Sequence, residues 1–143
     1  MTDEVLAHKA ALIERSVSRA REEYAAAGEH FDTDYTRQDA AVLNIQRACE
    51  AALDMGQHLV RREKLGLPQS SRDVFELLSR AGWIEAKLAN SLQKMVGFRN
   101  LAVHDYQSLL LPITARVITQ HLGEFLDYSA TLIRRDTDSR PKS

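Results

Sequence analysis

The ten residues Gly97-Phe-Arg-Asn-Leu-Ala-Val-His-Asp-Tyr106 are the one stretch of this chain where chemically capable side chains crowd together without the spacing of a buried helix face. Arg99 is a permanent cation that can bind a phosphate through two parallel hydrogen bonds, and His104 can give or take a proton near neutral pH. On an uninterrupted helix, His104 would lie about 140° around the axis from Arg99, whereas Tyr106 would return to within roughly 20° of it. We therefore expect either that the helix ends or bends near Val103 or that the site is completed across a dimer interface.

The composition of the 143-residue chain is that of one ordinary domain, with 44% hydrophobic and 27% charged residues. Glycine and proline are few and the β-branched residues are scattered, which favours helix over sheet. The net charge of −1 and the pI near 6.5 provide no overall positive field for nucleic acid. Any contact with RNA must therefore come from a local basic pocket.

Membrane-spanning and disulfide-linked classes are not supported by the same sequence. No apolar run approaches the roughly 20 residues needed to span a bilayer, and the acidic start Met-Thr-Asp-Glu does not resemble a signal peptide. The single cysteine, Cys49, cannot form an internal disulfide and is expected in the core. We expect a cytoplasmic protein without a membrane partner.

Apolar residues recur alternately four and three positions apart along most of the chain, which predicts an all-α, up-and-down bundle of about five helices. The first helix is expected to be capped by Thr2 or Asp3 and to end at Gly28, and the last to begin close to Pro112. Gly56 falls in the apolar seam of the second helix, where a small residue would let a neighbouring helix approach closely.

A short third helix is expected between the break at Leu67-Pro68-Gln69 and Gly82, opened by Ser70 with Asp73 as a variant capping box. The fourth helix then leads directly into the motif. The helical domain is expected to cover residues 1–135. Residues 136–143 carry no apolar side chain and are expected to form a disordered polar tail.

The spacing Arg99, four residues, His104, one residue, Tyr106 resembles the Arg-x4-His-x-Tyr motif of the HEPN superfamily, in particular its small stand-alone toxins of the HepT type. The polar residue after the arginine, Asn100, matches as well. The resemblance implies a dimeric HEPN bundle with metal-independent ribonuclease activity, paired with a small nucleotidyltransferase antitoxin of the MNT type. It also implies that Tyr106 can accept AMP groups from that partner.

The two charged residues of the motif suffice for RNA cleavage, because RNA carries its own nucleophile in the ribose 2′-hydroxyl. His104 would act as general base or acid, and Arg99 would stabilise the negative charge that develops on phosphorus. Asn100, four residues before His104, could orient its ring. The expected products are a 2′,3′-cyclic phosphate and a 5′-hydroxyl end. With no His-x3-His pair, cysteine cluster or glycine-rich phosphate loop in the sequence, we expect neither a metal ion nor a cofactor.

Two functions of different class remain open from the sequence. The first is a toxin ribonuclease of a type II-like toxin–antitoxin system, acting on tRNA or mRNA. The second is a non-catalytic module that binds a nucleotide or RNA within a complex. Tyr106 likewise has a structural alternative, as a ring packed under the last helix. The basic residues Arg61, Arg62 and Lys64 are better explained by the negative end of a helix dipole than by contact with RNA.

Overall fold

The computed structural model describes residues 3–139, which form an all-α, up-and-down bundle. Its helices, numbered in chain order, are α1 (Glu4–Ala27), α2 (Tyr35–Arg62), α3 (Ser71–Arg80), α4 (Ala86–His104), α5 (Leu111–Arg116) and α6 (Leu122–Ser139). The prediction of about five helices with a short third one is confirmed, because a π-helical turn joins α5 and α6 into one continuous rod. Within residues 3–139 we find no helix that combines the length and the apolar character needed to cross a bilayer.

The ends of the first two helices are set by short polar residues and one glycine. Asp3 accepts hydrogen bonds from the backbone N–H groups of Val5 (2.9 Å) and Leu6 (3.2 Å), so the expected cap of α1 is present. α1 stops at Gly28, whose φ of +56° lies in the left-handed region that residues with a side chain rarely adopt. Asp34 then caps α2 by accepting from a backbone N–H in its first turn.

The helices approach each other most closely around Gly56 in the middle of α2. A Cβ atom at this position would lie 2.6 Å from both the hydroxyl of Tyr128 on α6 and the side chain of Val74 on α3. Tyr128 is fully buried and its hydroxyl donates to the carbonyl oxygen of Ala52 at 2.8 Å. The close approach expected from Gly56 is therefore confirmed, and it joins three helices at one point.

The start of α3 differs from the expected capping box. Ser70 makes no capping hydrogen bond, and only the carboxylate of Asp73 turns back, accepting from the backbone N–H of Gln69 at 2.8 Å. The N–H of Asp73, which the Ser70 hydroxyl would cap, donates instead to the carbonyl oxygen of Ser70 at 3.2 Å.

The rod formed by α5 and α6 begins as the sequence predicts, with Pro112 in the first turn of α5. Its wide turn, Val117–His121, keeps right-handed helical backbone on both sides. The hydroxyl of Thr119 donates to the carbonyl oxygens of Ala115 (2.9 Å) and Arg116 (3.5 Å), which supplies partners that the regular ladder lacks at a π turn.

The predicted disordered tail is wrong at its beginning, because α6 continues to Ser139 and the helical domain extends at least that far. Asp136, the first residue of the expected tail, is only 5% exposed, and its carboxylate accepts from Arg62 at 2.7 Å. The prediction from composition failed because this end of α6 is held by the ion pair of Arg62 with Asp136 and not by an apolar contact. The remaining residues of the expected tail, 140–143, lie outside the described residues.

Four side chains form what we call the terminal cluster, at the end of the bundle where α1 begins and α2 and α6 end: Asp3, His58, Arg62 and Asp136. One oxygen of Asp3 contacts both His58 (2.6 Å) and Arg62 (2.8 Å), and Arg62 also binds Asp136. Burial by itself would raise the pKa of Asp3, but hydrogen bonds from His58, the Leu6 N–H and Arg62 outweigh it and lower that pKa to about 2. Arg62 is therefore a structural residue that ties three helices together.

Candidate active site

The motif is divided by the end of α4. The N–H of Asp105 makes the last helical bond, to Leu101 at 2.8 Å, and the backbone then turns away. Hydrogen bonds from the N–H of Ser108 to Asp105 (2.9 Å) and from the N–H of Leu109 to Tyr106 (3.1 Å) hold the turn that follows. The first of the two expected arrangements, in which the helix ends near Val103, is thus present in a single chain. Arg99, Asn100 and His104 lie on the helix, and Tyr106 lies beyond it.

Arg99 is largely enclosed, with a side chain that is 15% exposed. Its guanidinium lies 3.3 Å from a carboxylate oxygen of Glu50 on α2 and donates to the hydroxyl of Ser71 on α3 at 3.2 Å. Its Nε atom is buried and has no hydrogen-bond partner among the described residues. A buried unpaired donor is uncommon in folded proteins, and it often marks a functional site.

Cys49 lies beneath Arg99 in the core. Burial raises the pKa of its thiol to about 12, and the neighbouring guanidinium offsets only part of that effect. The thiol therefore stays protonated and unreactive at neutral pH, as expected for a core cysteine.

His104 is exposed at the last helical position of α4, and the described part of the chain offers it no hydrogen bond or ion pair. The orienting bond expected from Asn100 is not formed, although Asn100 lies one turn earlier on the same side of α4. An imidazole without an internal partner keeps both ring nitrogens available to a substrate.

Tyr106 reaches across to α2, where its hydroxyl donates to Oδ1 of Asp39 in a very short hydrogen bond. Burial and that hydrogen bond raise the pKa of the phenol to about 12, so it is protonated at neutral pH. The side chain remains 43% exposed, so its ring is not enclosed under the last helix.

The polar side chains of the motif contact α2 at two separate points rather than at one. The α2 partners of Arg99 and Tyr106, which are Glu50 and Asp39, are 11 residues apart. That separation corresponds to about 16 Å along the helix and to nearly the same face of it. One chain therefore presents an open face, not a closed pocket, to a substrate.

Four large apolar side chains in or just after the motif are exposed, namely Leu101, Val103, Leu110 and Ile113. All of them except Val103 line a cleft of about 380 Å³ between α4 and the α5–α6 rod, whose surface is mostly apolar. Neither Arg99 nor His104 lines this cleft. An apolar surface beside a polar motif is typical of a site that a protein partner covers.

Comparison with known proteins identifies the family of this chain. The family model described as Ribonuclease HepT-like matches residues 13–132. The chain belongs to the HepT-like ribonuclease family. The resemblance inferred from the motif and the all-α HEPN fold are thereby confirmed.

Individual members of the HepT-like family are similar over nearly the whole chain. The mRNA nuclease HepT of Shewanella oneidensis is 45% identical over 123 residues, which are 86% of this chain and 92% of that protein. A solved structure of a tri-AMPylated Shewanella oneidensis HEPN toxin in complex with MNT antitoxin has a TM-score of 0.87 at 41% identity, covering 92% of this chain and 98% of that one. A crystal structure of a toxin–antitoxin with AMP-PNP also has a TM-score of 0.87, at 40% identity and with 92% and 99% coverage.

Three neighbours of this HepT-like motif were missed by the sequence interpretation: Asp39, Glu50 and Ser71. Each lies 28 to 67 residues from its motif partner, and none carries a local pattern that sets it apart from other helical polar residues. The described residues contain no group of three His, Cys, Asp or Glu side chains arranged to hold a metal ion.

Proposed function

We propose that this chain is the toxin of a toxin–antitoxin pair and that it cleaves RNA with Arg99 and His104 as catalytic residues and Asn100 in support. The observation that carries the proposal is the combination of a mostly buried arginine, one of whose donors is unpaired, with an exposed unpaired histidine at the end of the same helix. Membership of the HepT-like family supports the ribonuclease class. The relative named an mRNA nuclease favours mRNA over tRNA as substrate, and we place the activity in the cytoplasm.

The proposed cleavage requires one nucleophile and two proton transfers. His104 accepts the proton of the ribose 2′-hydroxyl, the 2′-oxygen bonds to phosphorus, and the bond from phosphorus to the 5′-oxygen breaks. Arg99 stabilises the additional negative charge at phosphorus. The leaving 5′-oxygen takes a proton from a second acid, which yields a 2′,3′-cyclic phosphate and a 5′-hydroxyl end.

A second copy of the chain can provide that acid, and we propose that the active species is a homodimer in which two motifs face each other. The apolar side chains exposed around the motif support this arrangement, because their burial would stabilise the dimer. The open face seen in one chain would then become a cleft containing two copies of His104. Sedimentation of a monomer at micromolar concentration would contradict this part of the proposal.

Glu50 has a defined place in this scheme, because it is already close to the cation that must bind the phosphate. Its side chain is 45% exposed, so it can move toward water when a phosphate binds to Arg99. Ser71 holds the guanidinium from the other side through its hydroxyl. The arginine is thus kept in position between substrate binding events.

We further propose that the chain is neutralised by an MNT-type nucleotidyltransferase through addition of AMP to Tyr106. The support comes from the relative solved as a tri-AMPylated toxin in complex with its antitoxin, and from the 43% exposure of Tyr106. AMP on this residue would place a bulky anionic phosphodiester on the open face of the motif, where it would compete with a substrate phosphate.

The direct test is cleavage of RNA by the purified chain in the presence of EDTA, followed by analysis of the product ends. Cleavage that continues without metal and yields cyclic phosphate ends is the expected result. Loss of cleavage with EDTA, or 5′-phosphate products, would overturn the mechanism. RNA that is bound but left intact would instead identify the non-catalytic binding module.

A further inference from the structure

The hydroxyl of Tyr106 contacts a carboxylate on a different helix, that of Asp39 on α2. Asp39 lies in the second turn of α2, and its Oδ1 accepts the hydrogen bond from the Tyr106 hydroxyl across 67 residues of sequence. Within residues 3–139, Asp39 makes no other hydrogen bond or ion pair. Its carboxylate is exposed, unlike the acids of the terminal cluster, which are largely buried in ion pairs.

The chemistry of a phenol explains why this contact matters for modification. Tyr106 is protonated at neutral pH, and its oxygen becomes a strong nucleophile only as the proton leaves. An efficient transfer therefore requires a base within hydrogen-bond distance of that oxygen. Asp39 already occupies that position before any partner binds.

We propose that Asp39 is the general base for the first nucleotidyl transfer to Tyr106, so that the toxin supplies a catalytic group for its own inactivation. The inference rests on the proposed modification of Tyr106. The phenol oxygen bonds to the α-phosphorus of a nucleoside triphosphate while the bond from that phosphorus to pyrophosphate breaks. Pyrophosphate leaves with the electron pair, and the proton passes to Asp39 and then to water.

This role is limited to the first nucleotide. Once the phenol oxygen is esterified, any further AMP unit must be attached to a hydroxyl of the AMP already present. That hydroxyl lies on the ribose of the added unit and no longer on the oxygen that Asp39 contacts. Asp39 should therefore accelerate the first addition and have no effect on the second or third.

The decisive experiment compares Asp39→Asn with the parent chain in time courses of intact mass, using the purified nucleotidyltransferase and ATP. Asparagine keeps an oxygen that can accept the hydrogen bond from Tyr106 but cannot take up its proton. We expect the first addition to slow by about 10²-fold. A singly modified Asp39→Asn chain, isolated after long incubation, should receive its second AMP at the parental rate.

Two further variants separate catalysis from folding and from docking. Asp54→Asn changes a carboxylate on the same helix that is paired with Lys9 at 3.0 Å, and it should leave the rate of the first addition within twofold of the parent. Asp39→Glu restores a base and should recover the rate to within tenfold. The affinity of each variant for the nucleotidyltransferase, measured by calorimetry without ATP, should equal that of the parent.

Each contrary result has a distinct meaning. Addition of the first AMP to Asp39→Asn at the parental rate overturns the inference while leaving Tyr106 as the acceptor. Equal slowing of the first and later additions, or weaker binding to the partner, assigns Asp39 to docking and also overturns it. A parent chain that receives no AMP at all overturns the proposed regulation and this inference together.

Discussion

In the terminal cluster, at the carboxyl end of α2, Arg62 binds both Asp3 and Asp136, and His58 contacts Asp3 as well. At the motif, by contrast, His104 has no partner among the described residues and the Nε of Arg99 is unpaired. The contact of Arg99 with Glu50 lies about 18 Å along α2 from Arg62. Both regions contain a histidine and an arginine, so residue type alone does not separate them. The difference is that the chain supplies hydrogen-bond and ion-pair partners for the charged groups of the terminal cluster but only some of those for the motif.

This difference has a physical basis in the cost of burying charge. A buried ion whose partners are all present contributes to the fold and is costly to disrupt. A cation or imidazole with donors left over contributes less to the fold but can bind a phosphate or move a proton. The following predictions test whether the two regions divide stability and activity in this way.

The largest effect is expected from Arg99→Ala and His104→Ala, each of which should lower RNA cleavage by about 10² or more, because charge stabilisation or proton transfer is lost. Both variants should also lose the ability to arrest growth. Far-UV circular dichroism should remain that of the parent, since neither side chain belongs to the apolar core.

Arg80→Ala and His30→Ala are matched controls for these variants, because both residues are exposed and far from the motif in sequence. They should cleave RNA at the parental rate. The proposed site is wrong if either motif variant retains that rate as well.

The next effect concerns regulation at the same end of the molecule. Tyr106→Phe should remain an active ribonuclease yet resist neutralisation by a nucleotidyltransferase partner, because the acceptor oxygen is removed. Intact mass after co-expression should show whole AMP increments on the parent and none on the variant. A parent that is silenced without any mass change would show that inhibition works by simple occlusion of the motif.

At the other end, Arg62→Ala should reduce the free energy of unfolding by about 2 kcal/mol, because two largely buried carboxylates lose their common partner. Arg61→Ala, at the adjacent exposed position, should change it by less than about 0.5 kcal/mol. Urea unfolding at neutral pH measures both values. If Arg62→Ala reduced RNA cleavage while leaving stability unchanged, the division between the two regions would fail.

Acid should reveal the contribution of Asp3 to the stability of the terminal cluster. The pKa of Asp3 is lowered to about 2 in the folded chain, below its ordinary value of 3.8, so its stabilisation is fully present above pH 3.8. It is then lost as the pH falls toward 2. Asp3→Asn preserves an effective helix cap but not the charge. The unfolding free energies of parent and variant should therefore differ at pH 5 and converge near pH 2, and a constant difference would contradict the assignment.

The contrast between the two regions also explains what the sequence could predict. Gly28 and Pro112 mark helix boundaries through their own backbone restrictions, and the motif's spacing is local, so all of these could be found by inspection. The family followed from the motif in the same way. These features depend on residues that are close together in the chain.

Features that depend on distant residues could not be found in this way. The order of α6 beyond residue 135 depends on Arg62, which is 74 positions earlier than its partner Asp136. The contact of Tyr106 with Asp39 and that of Arg99 with Glu50 likewise require the helices to be packed before they exist. Polar composition indicated a tail, and only the fold shows that one of these polar residues is buried.

The π turn at Val117–His121 has a consequence for how this chain aligns with others. The buried positions around it are Thr114, Val117, Ile118 and Leu122, and the two steps of four from Thr114 to Ile118 to Leu122 would drift by about 80° around a straight α-helix. The π turn has the effect of one inserted residue, which rotates the following positions back toward the core. An alignment of relatives should therefore open a one-residue gap within this turn more readily than anywhere else in the rod.

Deletion of Thr119 should accordingly convert the turn to regular α-helix and leave both flanking faces in register, with a melting temperature within a few degrees of the parent. Deletion of Thr131, within the regular part of α6, should instead rotate Leu132 and Asp136 by about 100° away from their contacts. Thermal unfolding of the two deletions measures the difference. Equal destabilisation by both would mean that the wide turn is required for the fold rather than tolerated by it.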